Sequence, residues 1–153
     1  MNSLILKIIL KIRQLYWFVV RPKTQGVRAI VVDNKGMILL VKHSYNHGWY
    51  LPGGGVNRGE TCEDALRREL MEEVGITCLF DEVKLGTYLN KHEYKIDTIT
   101  VYIIRNYDIF EKSNIEIDQN VFFDPQSLPT GVSPGTKRRI SEYLRTHEIK
   151  TEW

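Results

Sequence analysis

Glu69, Glu72 and Glu73 stand within five residues of one another and are followed at once by Val74 and Gly75. On an α-helix of 3.6 residues per turn, their side chains project within an arc of about 100°. Like charges so placed repel, which gives a folded chain reason to gather them mainly when a cation sits between them. Upstream lie Gly53, Gly54 and Gly55, then Glu60, and Arg68 directly precedes Glu69. Consecutive glycines let backbone approach closely without side-chain clash. Arg68 carries a permanent charge on a planar fork that pairs bidentately with carboxylates. Together these residues suit divalent-metal chemistry on phosphate. A hard dication held by carboxylates offsets the charge of an anionic substrate and lowers the pKa of a bound water. Glu69 and Glu73, one helical turn apart, are the first-choice ligands, and Glu72 on the same arc suits a second ion. The bland alternative is a solvated acidic face, the usual meaning of a charge run.

Residues 54–76 read GGVNRGETCEDALRRELMEEVGI. Gly54, five residues, Glu60, seven residues, then Arg68-Glu69-Leu70-x-Glu72-Glu73-x-Gly75-Ile76 resembles the Nudix box at every defined position. Coincidence of seven fixed residue types is on the order of one in 10⁹ at even composition, which sets the solvated-face reading aside. The resemblance implies an α/β Nudix fold, a mixed β-sheet sandwiched between α-helices. It implies a Mg²⁺- or Mn²⁺-dependent hydrolase that splits the phosphoanhydride of a nucleoside diphosphate linked to another group. A small nucleotide such as a (d)NTP is the expected substrate. ADP-ribose, nucleotide sugars, dinucleoside polyphosphates and a non-catalytic nucleotide-sensing domain stay open as alternatives.

The resemblance also assigns roles. Glu60 and Arg68 pair to lock the loop onto the helix, and the backbone carbonyl of Gly53 joins Glu69, Glu72 and Glu73 at the metal. Glu69 is the preferred general base. Relatives often place a glutamate near a late strand, where this chain has Glu116, Asp118 and Gln119, so a later-loop base stays open. Trp49, Gly54 and Gly55 are substrate-binding candidates; an aromatic beside a strand end is also ordinary rim packing. Tyr94 stands at a spacing reminiscent of dinucleoside-polyphosphate hydrolases, and the proline of ADP-ribose-type members is missing near Lys91 and His92.

The chain as a whole suits one domain. Its 153 residues are 42% hydrophobic and 26% charged, as expected of a globular protein. A net charge of +2 is too small to argue for nucleic acid as a partner. Lys137, Arg138, Arg139 and Arg145 cluster late in the chain and read as a solvated helix face. Two cysteines, Cys62 and Cys78, without metal-ligand spacing fit a reduced, cytoplasmic setting. His43 and His47 flank a strand end and a loop and read as exposed.

Residues 1–21 form an apolar stretch that Lys7, Lys11 and Arg13 interrupt, so no unbroken run approaches the roughly 20 residues a bilayer span requires. As an extra N-terminal amphipathic helix it would show a narrow polar stripe of Ser3, Lys7, Lys11 and Gln14. Packing on the domain of residues 22–153 or pairing in a homodimer is expected ahead of peripheral membrane contact. Further elements are expected as follows. A hairpin spans 27–32 and 37–41 about the turn 33–36, and a helix runs 62–74 from Thr61 to Gly75. Strands follow at 83–89, 98–104 and 121–123, and a closing helix at 136–146.

Overall fold

The computed structural model describes residues 23–44, 47–79, 82–92, 95–110, 116–145 and 151–153. The expected helix over 1–21 and Tyr94 lie outside these residues. Among the described residues the chain forms strands β1 (Lys23–Val31) and β2 (Ile38–His43), then helix α1 (Cys62–Val74). Strands β3 (Ile76–Cys78), β4 (Val83–His92), β5 (Lys95–Ile104), β6 (Tyr107–Ile109) and β7 (Ile117–Phe123) follow, and helix α2 (Pro134–Tyr143) comes last. No helix among the described residues is long and apolar enough to cross a membrane.

β1 pairs in parallel with β5, which pairs antiparallel with β4, giving a mixed sheet in the order β1-β5-β4. Continuous β-branched and aromatic runs such as ITVYII in β5 suit a sheet covered on both faces. Alternate residues divide between two cores. Val27, Ala29, Val31, Leu39 and Val41 join Leu66, Leu70 and Val74 of α1. Ile30, Val32, Ile38 and Leu40 join Tyr88, Val101 and Ile140 on the side of α2. The sheet is thus sandwiched between helices, as expected.

The ends of α1 follow their local chemistry. Thr61 caps the helix by accepting the Asp64 N–H at 3.1 Å, and Gly75 ends it at φ 67° with its N–H turned back to Leu70 and Met71. In α2, Ser133 is the cap and Pro134 occupies the first turn, where its missing N–H costs nothing. The helix therefore starts ahead of residue 136, and it ends at Tyr143, short of 146.

Two expectations are corrected here. The turn at 33–36 forms, with Asp33 Oδ1 accepting the N–H groups of Lys35 and Met37, yet β1 and β2 share a single bridge, Val32 to Ile38. The reason is competition for backbone. β1 gives one edge to β5 and the other to the glycine loop, through Val27 N–H to Gly54 O and Ala29 N–H to Pro52 O, both 2.9 Å. β2 pairs with β7 on one side and exchanges two bonds between Val41 and Tyr50 on the other. The last strand is also longer than expected, Ile117–Phe123, because Ile117, Gln119 and Asn120 pair with β2 across an irregularity at Asp118, while the side chains of residues 118–120 stay exposed. No apolar alternation marks them.

Leu70 is fully buried where α1 meets the sheet. Replacing Leu70 by Ala is expected to cost about 2–5 kcal/mol of folding stability, read as a lower urea midpoint. A midpoint equal to the parent protein would show that α1 is not anchored there.

Candidate active site

The loop of residues 52–56 lies along β1, and α1 lies across the loop. Gly53 adopts φ 130°, and a Cβ there would stand 2.3 Å from the Val27 carbonyl oxygen. A Cβ on Gly54 would fall 2.3 Å from the carboxylate carbon of Glu69. Only glycines admit this approach. Glu73 reaches the same loop from the next turn of the helix, its Oε2 accepting the Gly53 N–H at 2.8 Å. Gly55 contributes its carbonyl, which accepts from Arg68 Nη2 at 2.9 Å.

Arg68 ties the loop to the helix at Glu60, Gly55, Glu69 and Glu72. Its Nε and Nη2 donate to the two oxygens of Glu60 at 2.8 and 3.0 Å, and its Nη1 donates to Glu69 at 2.7 Å and Glu72 at 3.3 Å. Glu60 also accepts the Asn57 N–H at 2.9 Å. The Arg68 fork, and after it that N–H, pull the Glu60 carboxyl down to about 2. Glu60 and Arg68 thus meet as the sequence led us to expect.

Glu73 differs from its neighbours because it is buried while Glu72 is exposed. Burial pushes the Glu73 carboxyl up to about 7, and the charges of Glu69 and Glu116 add to the effect. The Gly53 N–H and the charge of Arg28 oppose it. Glu116 and Arg28 therefore act on the same carboxyl. His43 belongs with them: burial and then Arg28 hold its pKa below the usual imidazole value, against a smaller opposing effect of Glu116.

This group was only partly expected. His43 is half-buried at the end of β2 with its ring 5.8 Å from that of Tyr50, so it is not a loop residue, whereas His47 is exposed. Of the late-strand acids, Glu116 is the one whose charge reaches Glu73, and its carbonyl accepts the Ser44 N–H beside His43. Gln119 sits three residues on, exposed and opposite Lys42. Trp49 packs edge-on against Phe123 at 4.9 Å, and its neighbour Tyr50 lines the cleft in its place. Arg139, read as part of a solvated face, is fully buried and bonded to Glu142 at 2.9 Å; Lys137 and Arg138 are exposed.

A cleft of about 770 Å³ opens from Gly54 and Gly55, bounded by Arg28, Tyr50, Asp97 and Trp153. Glu69, Glu72 and Glu73 carry oxygens of the kind a hard cation takes, and the Glu69 carboxylate lies against Gly54, which lines the cleft. Among the described residues no three carboxylate, histidine or cysteine side chains already converge as a closed cage. Magnesium needs none, since one or two carboxylates with water and substrate phosphate complete its octahedron. A buried carboxyl pressed by two like charges is a place where a dication relieves repulsion, so the donor set fits.

A family model described as NUDIX domain matches residues 22–144. The chain belongs to the Nudix family. A MutT NUDIX hydrolase from Burkholderia pseudomallei superposes with a TM-score of 0.68 at 25% identity, over 78% of this chain and 97% of that one. Residues of this Nudix chain are also 43% identical over 52 positions to an RNA pyrophosphohydrolase of Vibrio atlanticus, covering 34% of this chain and 30% of that protein. A putative 8-oxo-dGTP diphosphatase of Bacillus subtilis is 43% identical over 65 residues, 42% of this chain and 43% of that protein. The chain thus matches less than half the length of these curated relatives.

The raised pKa of Glu73 has a consequence for stability. Between its ordinary value of 4.5 and about 7, the folded protein keeps a proton that the unfolded chain releases. Metal-free stability should therefore fall as pH rises through that window, by about 3 kcal/mol at most. Thermal melts in chelator at pH 5 and pH 8 will show the loss, and Glu73→Gln should flatten it. A parent protein equally stable at both values would contradict the assignment.

Proposed function

We propose that this chain is a Mg²⁺- or Mn²⁺-dependent pyrophosphohydrolase acting on a small nucleotide such as a (d)NTP. Nudix hydrolases in general use divalent cations. The observation that carries the reading is the seating of Glu69 and Glu73 against Gly54 and Gly53, in the loop whose Gly54 and Gly55 line the cleft. A cleft of about 770 Å³ is also the size of a site for one small ligand.

Glu69 and Glu73 would hold the first dication and Glu72 a second, with the Gly53 carbonyl a further donor expected from the family. The bound cation supplies charge neutralisation and a more acidic water. The remaining work falls to the chain itself. Arg68, spread over Glu60, Glu69 and Gly55, keeps the helix in register with the loop, so the carboxylates are oriented before substrate arrives. Arg28 stands in the cleft as a fixed positive charge toward phosphate. Water adds to phosphorus as the anhydride P–O bond breaks, and a carboxylate accepts the water's proton. Glu69 is the preferred acceptor: Arg68 engages its Oε1, and no hydrogen bond among the described residues engages its Oε2. Glu116 is the second candidate, because its charge reaches the same site.

A screen of nucleoside triphosphates, ADP-ribose, dinucleoside polyphosphates and nucleotide sugars with Mg²⁺ or Mn²⁺ tests the proposal directly. Chelation is expected to abolish turnover, and Glu69→Gln or Glu73→Gln to lower it roughly 100-fold or more with unchanged circular dichroism. Wild-type turnover in either variant would remove that residue from the site. A loss in Glu116→Gln that equals the loss in Glu69→Gln would move the base to Glu116.

A further inference from the structure

Residues 151–153 are built into the far wall of the cleft. They run along β4, with the Leu89 N–H donating to Thr151 O at 2.7 Å and the Trp153 N–H donating to Leu89 O at 3.0 Å. Two arginines of α2 hold them from the other side. Arg139 Nη1 donates to Glu152 O at 2.9 Å, and Arg138 donates to the main-chain oxygen of Trp153. Gly135 makes room for the indole, since a Cβ there would stand 2.5 Å from Trp153 Nε1. Beneath it the Arg139 guanidinium lies 3.7 Å over the Tyr88 ring and 5.6 Å from Trp153. Trp153 is thereby fixed half-buried, its ring edge-on to Tyr88, and still borders the cleft.

The floor and the end of this part of the cleft come from one face of the mixed sheet. The register puts Gly26, Ile99 and Tyr88 in one row across β1, β5 and β4. Gly26 has no side chain, and with Ile99 it leaves a low apolar floor in the cleft. Two residues along each strand, on the same face, stand Thr24, Asp97 and Asn90, again in register and all in the cleft. Asp97 and Asn90 are directly opposed, so their Cβ atoms are about 5 Å apart. Both side chains are half-exposed. Among the described residues no hydrogen bond or ion pair engages either of them.

We infer that this end of the cleft reads the base of the nucleotide, with Trp153 as its stacking wall and Asp97 with Asn90 as its polar edge, and that the base is guanine. The inference rests on the nucleotide-hydrolase reading and adds residues and a substrate class to it. A planar aromatic wall over an apolar floor suits a flat ring. An ionised carboxylate only accepts hydrogen bonds, and it accepts two at once from neighbouring donors. Guanine alone among the common bases presents two adjacent donors on its pairing edge, N1–H and the N2 amino group. Adenine and cytosine there offer one amino group beside an acceptor nitrogen, and uracil offers one N–H between two carbonyls. Asn90, across from Asp97, can donate its amide to guanine O6. The phosphates of a ring so placed extend past Gly26 toward Gly54 and the carboxylates of α1.

Steady-state kinetics on the full chain with GTP, ATP, CTP and UTP and their deoxy forms, in Mg²⁺, test this. The parent protein is expected to favour guanine in kcat/KM by roughly ten- to a hundredfold, the discrimination of one bidentate pair. Asp97→Asn should collapse that ratio toward one. Trp153→Ala should raise KM about tenfold for every base while kcat changes much less, and Trp153→Phe should restore most of the loss. Melting temperatures of the two Trp153 variants separate a loosened wall from a lost stacking face. If Trp153→Phe melts like the parent protein yet shows the KM of Trp153→Ala, the ring is no stacking wall. Equal turnover of all bases by the parent protein, or an unchanged ratio in Asp97→Asn, overturns the inference while the hydrolase reading stands. Absence of turnover on every nucleotide overturns both.

Discussion

The site depends on how closely two backbones approach at Gly53. The Val27 oxygen lies where a side chain would begin, so the loop can lie flat on β1 only without one. Once it does, Gly54 and Pro52 carbonyls complete the free edge of the strand, and the Gly53 N–H is turned outward to Glu73. Glu69 then fills the space over Gly54 that any larger residue would take. Sheet, loop and helix thus meet within two residues. A positive charge is needed to hold the acids there, and Arg68 supplies it from inside the helix that carries them.

A second arginine solves a different problem in the other core. Arg139 is fully buried, and its charge is balanced by Glu142, by the Glu152 carbonyl and by the face of Tyr88. Glu142 in turn accepts from the Tyr88 hydroxyl at 2.9 Å, and burial together with that bond raises the phenol pKa. Ion pairs this deep are costly to assemble and are often neutral in net stability. Their geometric demand is high, however, and here it decides where residues 151–153 lie.

How much of this was legible follows the range of each interaction. The cap at Thr61, the end at Gly75 and the phase of Leu66, Leu70 and Val74 are local, and they appear in the structure as read from the sequence. The pairing of Glu60 with Arg68 was legible only through the spacing of a known box. The partners of β1 were not, because Asp33 and Gly36 announce a turn but not which strands compete for the edges beside it. Arg139 was misread for a related reason: a run of cations looks solvated until Glu142, Tyr88 and Glu152 are brought around it. Three residues such as Thr151, Glu152 and Trp153 have no period to read. Asp97 and Asn90 face one another only through the register of β4 on β5.

β4 is the outer strand of the mixed sheet, and outer strands carry unpaired N–H and carbonyl groups that invite another chain to add on. Residues 151–153 occupy part of that border, taking the N–H and the carbonyl of Leu89 together. They act there as a guard on the sheet as well as a wall of the cleft. Loosening them would therefore do two things at once, widening a pocket within the molecule and uncovering a strand edge through which molecules associate.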